Sequence, residues 1–246
     1  MSAKAYTEPH RVTYYEADDT GHLTVAMLIN LFVLVSDDQS NDLGLPTDFI
    51  QSFGVGWVVT QYHVQITRMP RTGETVTLKT QATAYNRYFA YREYWLLDAN
   101  GETLAYGEGI WVTMSYANRK IVTIPAEIMA PYQSEEVSRL PRLPRPKRLD
   151  ETATLTTKPY RVRYFDIDNN GHVNNAHYFD WLLDSLPADF LRTHQPVDVQ
   201  IRFENEVQYG HQVASQVVHG DATTTQHRIM IGTTIAAIAT VGWQSV

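Results

Sequence analysis

The chain contains no cysteine among its 246 residues. This absence excludes disulfide bonds, zinc sites built on thiolates and a cysteine nucleophile. A chain without cysteine fits a reducing compartment, although the same composition is compatible with any other.

The chain also lacks a long apolar run. Its most apolar stretch, 25–35, has 11 residues and is interrupted by Asn30, whereas a membrane-spanning helix needs about 20. The first ten residues lack the apolar core of a signal peptide. Basic residues are few, with 20 Lys and Arg against 27 Asp and Glu and a net charge of −7, which argues against nucleic-acid binding. We therefore expect a cytoplasmic, soluble protein that neither inserts into membranes nor binds nucleic acid.

An internal repeat is the most informative feature that is present. Residues 9–26 align with residues 159–176 without a gap, and 8 of the 18 positions are identical. The identical pairs are Pro9/Pro159, Arg11/Arg161, Val12/Val162, Tyr14/Tyr164, Asp18/Asp168, Gly21/Gly171, His22/His172 and Ala26/Ala176. Such a repeat indicates two similar units fused in one chain. We place an N-terminal unit at 1–130, a linker at 131–157 and a C-terminal unit at 158–246.

The two copies of the repeat differ at polar positions. The second copy has Asp168, Asn170 and His172 at alternate positions, whereas the first has Thr20 in place of Asn170. The first copy also lacks the pair Asn174-Asn175. We therefore predict that the C-terminal unit carries the functional site and that the N-terminal unit has a degenerate copy of it.

Each unit is predicted to contain a short strand, a Gly-containing turn, a helix and a run of strands, in an α+β fold. Apolar residues recur at helical spacing in both copies: Leu28, Leu31, Phe32 and Val35, then Phe179, Leu182, Leu183 and Leu186. Because 25–35 is apolar nearly all round, this helix must be wrapped by other structure. The strand-like stretches are 56–60, 62–68, 75–84, 87–97, 103–116, 197–208, 211–220, 226–234 and 236–243. We expect an antiparallel sheet curled around a long central helix in each unit.

The segment between the units is basic and rich in proline. Residues 138–149 carry five basic residues, three prolines and no acidic residue. Spaced prolines favour an extended, semi-rigid connection. The segment is then either a solvated linker or a basic strip that meets an acidic partner.

Two segments of the second unit resemble the acyl-acyl-carrier-protein (acyl-ACP) thioesterases, a family of tandem hotdog folds. They are the motif Asp-x-Asn-x-His-Val-Asn-Asn at 168–175 and Arg-Phe-Glu-Asn at 202–205. Matching positions in the first unit are 57–60, Gln65, Arg68, Pro70, Gly73, 111–114, Arg119 and 124–125. The resemblance covers roughly 11–243 and departs from some members in having Asn205 where they have cysteine.

The resemblance implies hydrolysis of acyl-ACP to free fatty acid, with acyl carrier protein as partner and no cofactor. Single-unit acyl-CoA thioesterases have a similar Gly-His-Val-Asn-Asn core, so hydrolysis of acyl-CoA is one alternative, and a non-catalytic acyl-binding protein is another. The remaining histidines lack metal-ligand spacing, so we predict no metal. The sequence leaves open whether two chains form a homodimer.

Thioester hydrolysis needs a nucleophile or activated water, groups that hold it, and donors for the oxyanion. By the resemblance, Asp168 either attacks the carbonyl or activates water, and Asn170 and His172 orient its carboxylate. The alternative for Asp168 is a structural Asx-turn, which its retention as Asp18 supports. His172 has the same structural alternative, because the first copy retains a histidine as well.

The second segment supplies Glu204, which we predict to be a general base; the alternative is an ion pair with Arg202. Glu206 is the alternative general base if the register of the strand is shifted, since alternate residues of a strand share a face. Backbone N–H groups near 172–174, at the start of the helix, are candidate donors to the thioester carbonyl. The substrate-binding candidates are therefore Val173 and Asn174, together with Trp57, Met27 and Leu31 for the acyl slot. For the apolar helix residues among them, a place in the ordinary core is the alternative.

Overall fold

A computed structural model describes residues 3–221 and 223–246. The N-terminal half consists of β1 (Ala5–Arg11), α1 (Val25–Asp42), α2 (Thr47–Ser52), β2 (Val55–Ile66), β3 (Thr75–Tyr85), β4 (Ala90–Leu97), β5 (Thr103–Ser115), β6 (Ile121–Val122), α3 (Ala126–Met129) and β7 (Glu135–Glu136). The C-terminal half consists of β8 (Thr156–Arg161), α4 (Ala176–Leu183), α5 (Ala188–Thr193), β9 (His194–Phe203), β10 (Gln212–Asp221), β11 (Thr224–Ile231) and β12 (Thr234–Ser245). No helix in these described ranges is long and apolar enough to cross a membrane.

The strands form one continuous sheet that runs through both halves. Its hydrogen-bonded order is β1-β3-β4-β5-β2-β9-β12-β11-β10-β8, with β6 paired to β5 and β7 paired to β3. The order in the second half is the reverse of that in the first, as expected for two repeats related by an approximate two-fold axis. The halves join through the antiparallel pair β2–β9, in register from Gln61↔Arg202 to Gln65↔Asp198.

The central helices α1 and α4 share one apolar core with the inner face of the sheet. In α1, Leu28, Leu31, Phe32 and Val35 are buried at the predicted helical spacing. The Thr24 hydroxyl caps this helix by accepting a hydrogen bond from the Met27 N–H at 3.1 Å. The predicted α+β architecture, a sheet around central helices, is confirmed.

The second helix is shorter than expected. Whereas α1 has 18 residues, α4 has 8 and ends at Leu183, before the last apolar position of the predicted pattern. That position, Leu186, is still buried, but it precedes Pro187, and a residue before proline is disfavoured in the helical region. The apolar spacing thus identifies the buried side chains correctly, while the proline shortens the helix.

The two predicted strands 56–60 and 62–68 form the single strand β2. The register of β2 against β5 shifts between Val59 and Gln61, which leaves Thr60 as the extra residue of a bulge. The Thr60 hydroxyl donates to the carbonyl of Ile110 at 3.1 Å. Because a bulge interrupts the alternation of side chains, the sequence pattern splits at this point.

A buried histidine links the two halves of the sheet. His63 in β2 is 7% exposed; its Nδ1 lies 2.9 Å from Glu108 and its Nε2 lies 2.8 Å from Asp198. Burial acts to lower the pKa of His63, but its contacts with Asp198 and Glu108 outweigh burial and raise the pKa to about 9. The imidazole is therefore charged at neutral pH and bridges β9 of one half to β5 of the other.

Candidate active site

The second copy of the repeat is a tight loop that leads into α4. Gly171 has φ of 80°, a left-handed conformation that glycine adopts without strain. The Asp168 N–H donates to the carbonyl of His172 at 2.9 Å, and the Gly171 N–H donates to the carbonyl of Asp168 at 3.0 Å. The Asp168 carboxylate also accepts from the Asn170 N–H at 2.8 Å. The Asx-turn considered for Asp168 is therefore present.

The first copy has the same backbone but a self-contained set of side chains. Gly21 also has φ of 80°, and Asp18 accepts from the Thr20 N–H at 2.9 Å. In addition, the Thr20 hydroxyl donates to Asp18 at 2.6 Å and lies 2.9 Å from Nδ1 of His22. The aspartate and the glycine that both copies retain are thus needed for the shape of the loop.

Two polar side-chain groups of the second copy, on His172 and Asn170, have no partner within their own loop. Nδ1 of His172 lies 3.3 Å from the carbonyl oxygen of Val173 and 3.7 Å from the Asp168 carboxylate, whereas its Nε2 is buried without a partner among the described residues. The Asn170 side-chain oxygen instead accepts from the Tyr116 hydroxyl at 3.1 Å. The second copy therefore keeps polar groups available that the first copy uses internally.

Asn170 reaches a cavity of about 190 Å³ whose other lining residues all belong to the N-terminal half. One wall is a face of α1, with residues at helical spacing: Val33, Ser36, Asp37 and Ser40. Trp57, Trp111 and Tyr116 line the cavity from the sheet side. The structure thus brings a polar group of the second copy to a cavity built by the first half.

Of the three residues predicted for the acyl slot, the structure brings only Trp57 to this cavity. Met27 and Leu31 are not among its lining residues; Leu31 is buried in the main core and Met27 packs against that core. They lie on the side of α1 that is turned away from the cavity-lining face. Met27 and Leu31 therefore do not line this cavity, and their place in an acyl slot stays a prediction.

Two of the backbone donors predicted near the start of α4 are already engaged. The Val173 N–H donates to the carbonyl of Val207, and the Asn174 N–H donates to the carbonyl of Asp166, both at 2.9 Å. The Asn174 side chain caps the helix by accepting from the Ala176 N–H at 3.0 Å. The N–H groups of Val173 and Asn174 are therefore not free to polarise the thioester carbonyl.

Glu204 and Glu206 lie in different environments. The Glu204 carboxylate is 3.1 Å from Nε of Arg202, the ion pair that we considered as the alternative to a general base. Glu206 pairs with Arg119 through one carboxylate oxygen, and its other oxygen is buried without a partner among the described residues. The expectation that both face the same side of a strand was wrong, because β9 ends at Phe203.

The end of β9 explains this divergence. The N–H groups of Glu204 and Asn205 both donate to the carbonyl of Ala236, at 2.8 and 3.1 Å. Because these two successive residues share one acceptor, the regular hydrogen-bond ladder between β9 and β12 ends here, and side chains no longer alternate between the two faces of the sheet. Among the described residues, no hydrogen bond or ion pair joins Glu204 to Asp168, Asn170 or His172.

Glu206 and Asp168 both lie near the Tyr178 hydroxyl. Burial raises the pKa of Tyr178, and the negative charges of these two carboxylates raise it further. The Tyr178 hydroxyl accepts a hydrogen bond from the Val207 N–H at 3.2 Å, and Val207 in turn bonds to Val173 of the loop. The segment next to the loop thus carries Glu206, which makes it a better candidate than Glu204 for a base.

Replacing Glu206 with glutamine is expected to lower kcat more than replacing Glu204 with glutamine. Loss of a general base typically lowers the rate about 10²-fold or more, whereas loss of the half-exposed pair with Arg202 mainly removes a surface interaction. The kcat of the two variants, measured side by side, decides between them. A larger loss for Glu204→Gln would restore the original assignment.

Two residues of the site, Gly56 and Tyr116, were not predicted from the sequence. A Cβ on Gly56 would lie 2.5 Å from the Tyr116 hydroxyl oxygen and 3.0 Å from the Asn170 side-chain oxygen, so only glycine permits this close approach. Glycine inside a strand pattern is a recognisable signal of such an approach. Tyr116 carries no comparable signal, because its contact with Asn170 spans 54 residues of sequence.

Replacing Tyr116 with phenylalanine is expected to lower kcat about 3- to 10-fold, the worth of one hydrogen bond. The Tyr116 hydroxyl fixes the orientation of the Asn170 amide, which the variant leaves free to rotate. Tyr106→Phe is the matched control, since it removes a hydroxyl that donates to Glu93 at 2.6 Å and does not line the cavity. Equal kcat values for the two variants would contradict this role of Tyr116.

The cavity wall also contains a buried cation. Arg92, 8% exposed, donates to Gln39 and to the Thr80 hydroxyl, and its guanidinium lies 5.1 Å from the ring centre of Tyr132. No carboxylate in the described ranges forms an ion pair with it. The cavity is therefore mostly apolar with one strongly polar section. Within the same ranges, no group of three or more His, Asp or Glu side chains could hold a metal ion.

Two domain profiles match the chain and define its class. Acyl-ACP thioesterase N-terminal domain matches residues 3–132, and Acyl-ACP thioesterase C-terminal domain matches residues 149–245. Fold and loop together thus define a tandem hotdog protein. The chain belongs to the acyl-ACP thioesterase family.

Individual relatives agree with this assignment. A protein from Lactobacillus plantarum, named provisionally as an oleoyl thioesterase, is 53% identical with a TM-score of 0.96, covering 99% of this chain and 97% of that chain. The 12:0-ACP thioesterase from Umbellularia californica shares the fold, with a TM-score of 0.86 at 20% identity and 98% coverage of both chains. Oleoyl-acyl carrier protein thioesterase 1 of Arabidopsis thaliana is 26% identical over 240 residues, or 90% of this chain and 64% of the relative. The chain thus spans less than two thirds of the length of this plant relative.

Proposed function

We propose that this protein hydrolyses the thioester of a fatty acyl group carried on acyl carrier protein. The products are a free fatty acid and the carrier protein with a free thiol, so the reaction ends chain elongation. The observation that carries the proposal is the contrast between the two loops. Only the second has polar groups that its own loop leaves unsatisfied, and one of them, Asn170, reaches a cavity in the opposite half. Membership of the acyl-ACP thioesterase family supports the same reaction.

The two units have separate tasks in this proposal. The N-terminal unit, 1–130, binds the acyl chain in the cavity beside Trp57, and the C-terminal unit, 158–246, supplies the reacting groups. Residues 131–157 connect them. The thioester then lies at the mouth of the cavity, next to Asn170.

In this proposal the Asn170 side chain, and not the N–H groups of Val173 and Asn174, donates a hydrogen bond to the thioester carbonyl. Because its side-chain oxygen accepts from the Tyr116 hydroxyl, its amide nitrogen is left to donate to the carbonyl of the thioester. A donor held in this way stabilises the oxyanion that develops during attack. This task also explains why the first copy, with threonine at this position, is degenerate.

The Asp168 carboxylate is the centre of the reaction. One of its oxygens is held by the Asn170 N–H at 2.8 Å, and the other is the closer one to His172. In the water route, a carboxylate takes a proton as water adds to the carbonyl carbon; the intermediate then expels the thiolate, which receives a proton. In the covalent route, Asp168 attacks the carbonyl and the carbon–sulfur bond breaks, which releases a thiolate that takes up a proton; water then cleaves the resulting anhydride and restores the Asp168 carboxylate. Both routes consume one water and yield one carboxylic acid and one thiol.

Hydrolysis of one acyl chain, presented on acyl carrier protein and on coenzyme A under the same conditions, tests the proposal. We expect a kcat/KM strongly in favour of the carrier protein. A preference for coenzyme A would make the protein an acyl-CoA thioesterase of the hotdog type. No turnover of either would instead support a non-catalytic acyl-binding protein.

A further inference from the structure

The basic segment 138–149, termed the strap below, crosses the outer face of the sheet from one half to the other. Leu143 packs against Tyr91 in a cluster separate from the main core. The carbonyl of Pro144 accepts from the Gln61 side chain at 2.6 Å, and the Lys147 N–H donates to the Thr240 hydroxyl at 2.8 Å. The strap is therefore fixed to the protein at points in both halves.

The strap has a period of three residues. Every third side chain is turned towards the protein, and these are Leu140, Leu143, Pro146 and Leu149. The residues just before them are all exposed arginines: Arg139, Arg142, Arg145 and Arg148. A polyproline II helix has three residues per turn and a rise of about 3.1 Å per residue, so one face repeats about every 9 Å. The strap thus presents a row of four arginines on one face.

These arginines have no partner within the protein. Among residues 3–221 and 223–246, none of their side chains forms an ion pair or a hydrogen bond with another residue. Elsewhere, Arg119, Arg163 and Arg192 each pair with a carboxylate. In a chain with a net charge of −7, the row is a concentrated positive surface held on a fixed backbone.

The C-terminal end of the strap reaches the segment that follows β9. Arg148 lines a cavity of about 630 Å³ together with Glu204 and Asn205. Glu206 follows Asn205 directly. One residue further on, the carbonyl of Val207 accepts a hydrogen bond from the Val173 N–H, in the loop that carries Asp168. A macromolecule bound along the strap would therefore lie beside the segment that borders the reacting groups.

We propose that the arginine row of the strap is the docking surface for an acidic face of acyl carrier protein. This inference rests on the proposed function, since it names where the carrier of the acyl group binds. Rows of like charge on a fixed backbone attract a partner of opposite charge and raise the association rate, and salt weakens the attraction. The apolar face of the strap, packed on the sheet, holds the row in place.

The test uses the full chain and the triple variant Arg139→Gln/Arg142→Gln/Arg145→Gln, which leaves the cavity beside Glu204 unaltered. Each protein is assayed with one acyl chain on acyl carrier protein and on pantetheine, which is small and uncharged. We expect KM for the carrier substrate to rise about tenfold, with kcat and the pantetheine reaction unchanged. The dependence of KM on salt should also weaken.

The matched control is Arg11→Gln/Arg71→Gln/Arg161→Gln, which removes the same charge from three exposed arginines outside the strap. An unchanged KM for the carrier substrate in the strap variant, or an equal rise in the control, overturns the docking surface. An equal loss with pantetheine also overturns it, because the strap would then act on the fold. If the unaltered protein turns over pantetheine but not the carrier substrate, the proposed function fails instead.

Discussion

Replacing Asp168 with asparagine is expected to lower kcat by about 10²- to 10⁴-fold, the usual contribution of a positioned acid or base. Asparagine retains the side-chain oxygen that accepts from the Asn170 N–H, so the loop can keep its shape. It cannot take a proton from water or attack a carbonyl. The loss should therefore appear in kcat, measured with acyl-ACP at saturation, with KM and thermal stability little changed.

The internal repeat supplies the matched control for this experiment. Asp18→Asn makes the same change in the first copy, where the backbone has the same shape. Because asparagine keeps the oxygen that accepts from Thr20 within this loop, this variant should keep both its stability and its activity. Full activity of Asp168→Asn, or an equal loss in both variants, would rule out the catalytic assignment.

Replacing His63 with glutamine is expected to lower the free energy of unfolding by about 2–4 kcal/mol, somewhat below the cost of breaking a fully buried pair. The variant leaves Glu108 and Asp198 facing each other without a cation, and both carboxylates are only partly accessible. Urea unfolding at pH 6 measures the effect. His10→Gln is the control, since His10 contacts a single carboxylate, Glu16, at 3.0 Å.

The same histidine predicts how stability depends on pH. The folded pKa of His63, about 9, is above the ordinary value of 6.5. Its stabilisation is therefore complete below pH 6.5 and is lost as pH rises through about 9. The difference in unfolding free energy between the unaltered protein and His63→Gln should shrink between pH 6.5 and 9.5. A constant difference across this range would show that the charge of His63 does not stabilise the fold.

The sequence predicts the fold and the loop well, because both depend on local patterns. The repeat identifies two loops of the same shape, and the alternate residues Asp168, Asn170 and His172 lie together because one turn carries them. The long apolar stretch becomes α1 for the same reason. Such features need only helical spacing, a glycine and a short polar motif.

Other parts of the site depend on contacts that local patterns do not record. Glu204 and Glu206 diverge because β9 ends at Phe203 and the next two residues share one acceptor, and sequence alternation cannot reveal that point. An apolar helix such as α1 gives no sign of which of its faces meets a cavity, so the sequence could not separate Leu31 from Val33. Tyr116 reaches Asn170 only after the sheet brings the two halves together. The assignment of catalytic roles stays a prediction for the experiments above.

The first identical pair of the repeat, Pro9 and Pro159, has a consequence beyond the site. The sheet order begins with β1 and ends with β8, and each of these outermost strands contains one of the two prolines. Proline has no N–H to donate, so a strand from a second molecule would find an interrupted row of donors at either end. The proline in each copy thus disfavours edge-to-edge pairing of sheets from different molecules, which could otherwise continue into a polymer.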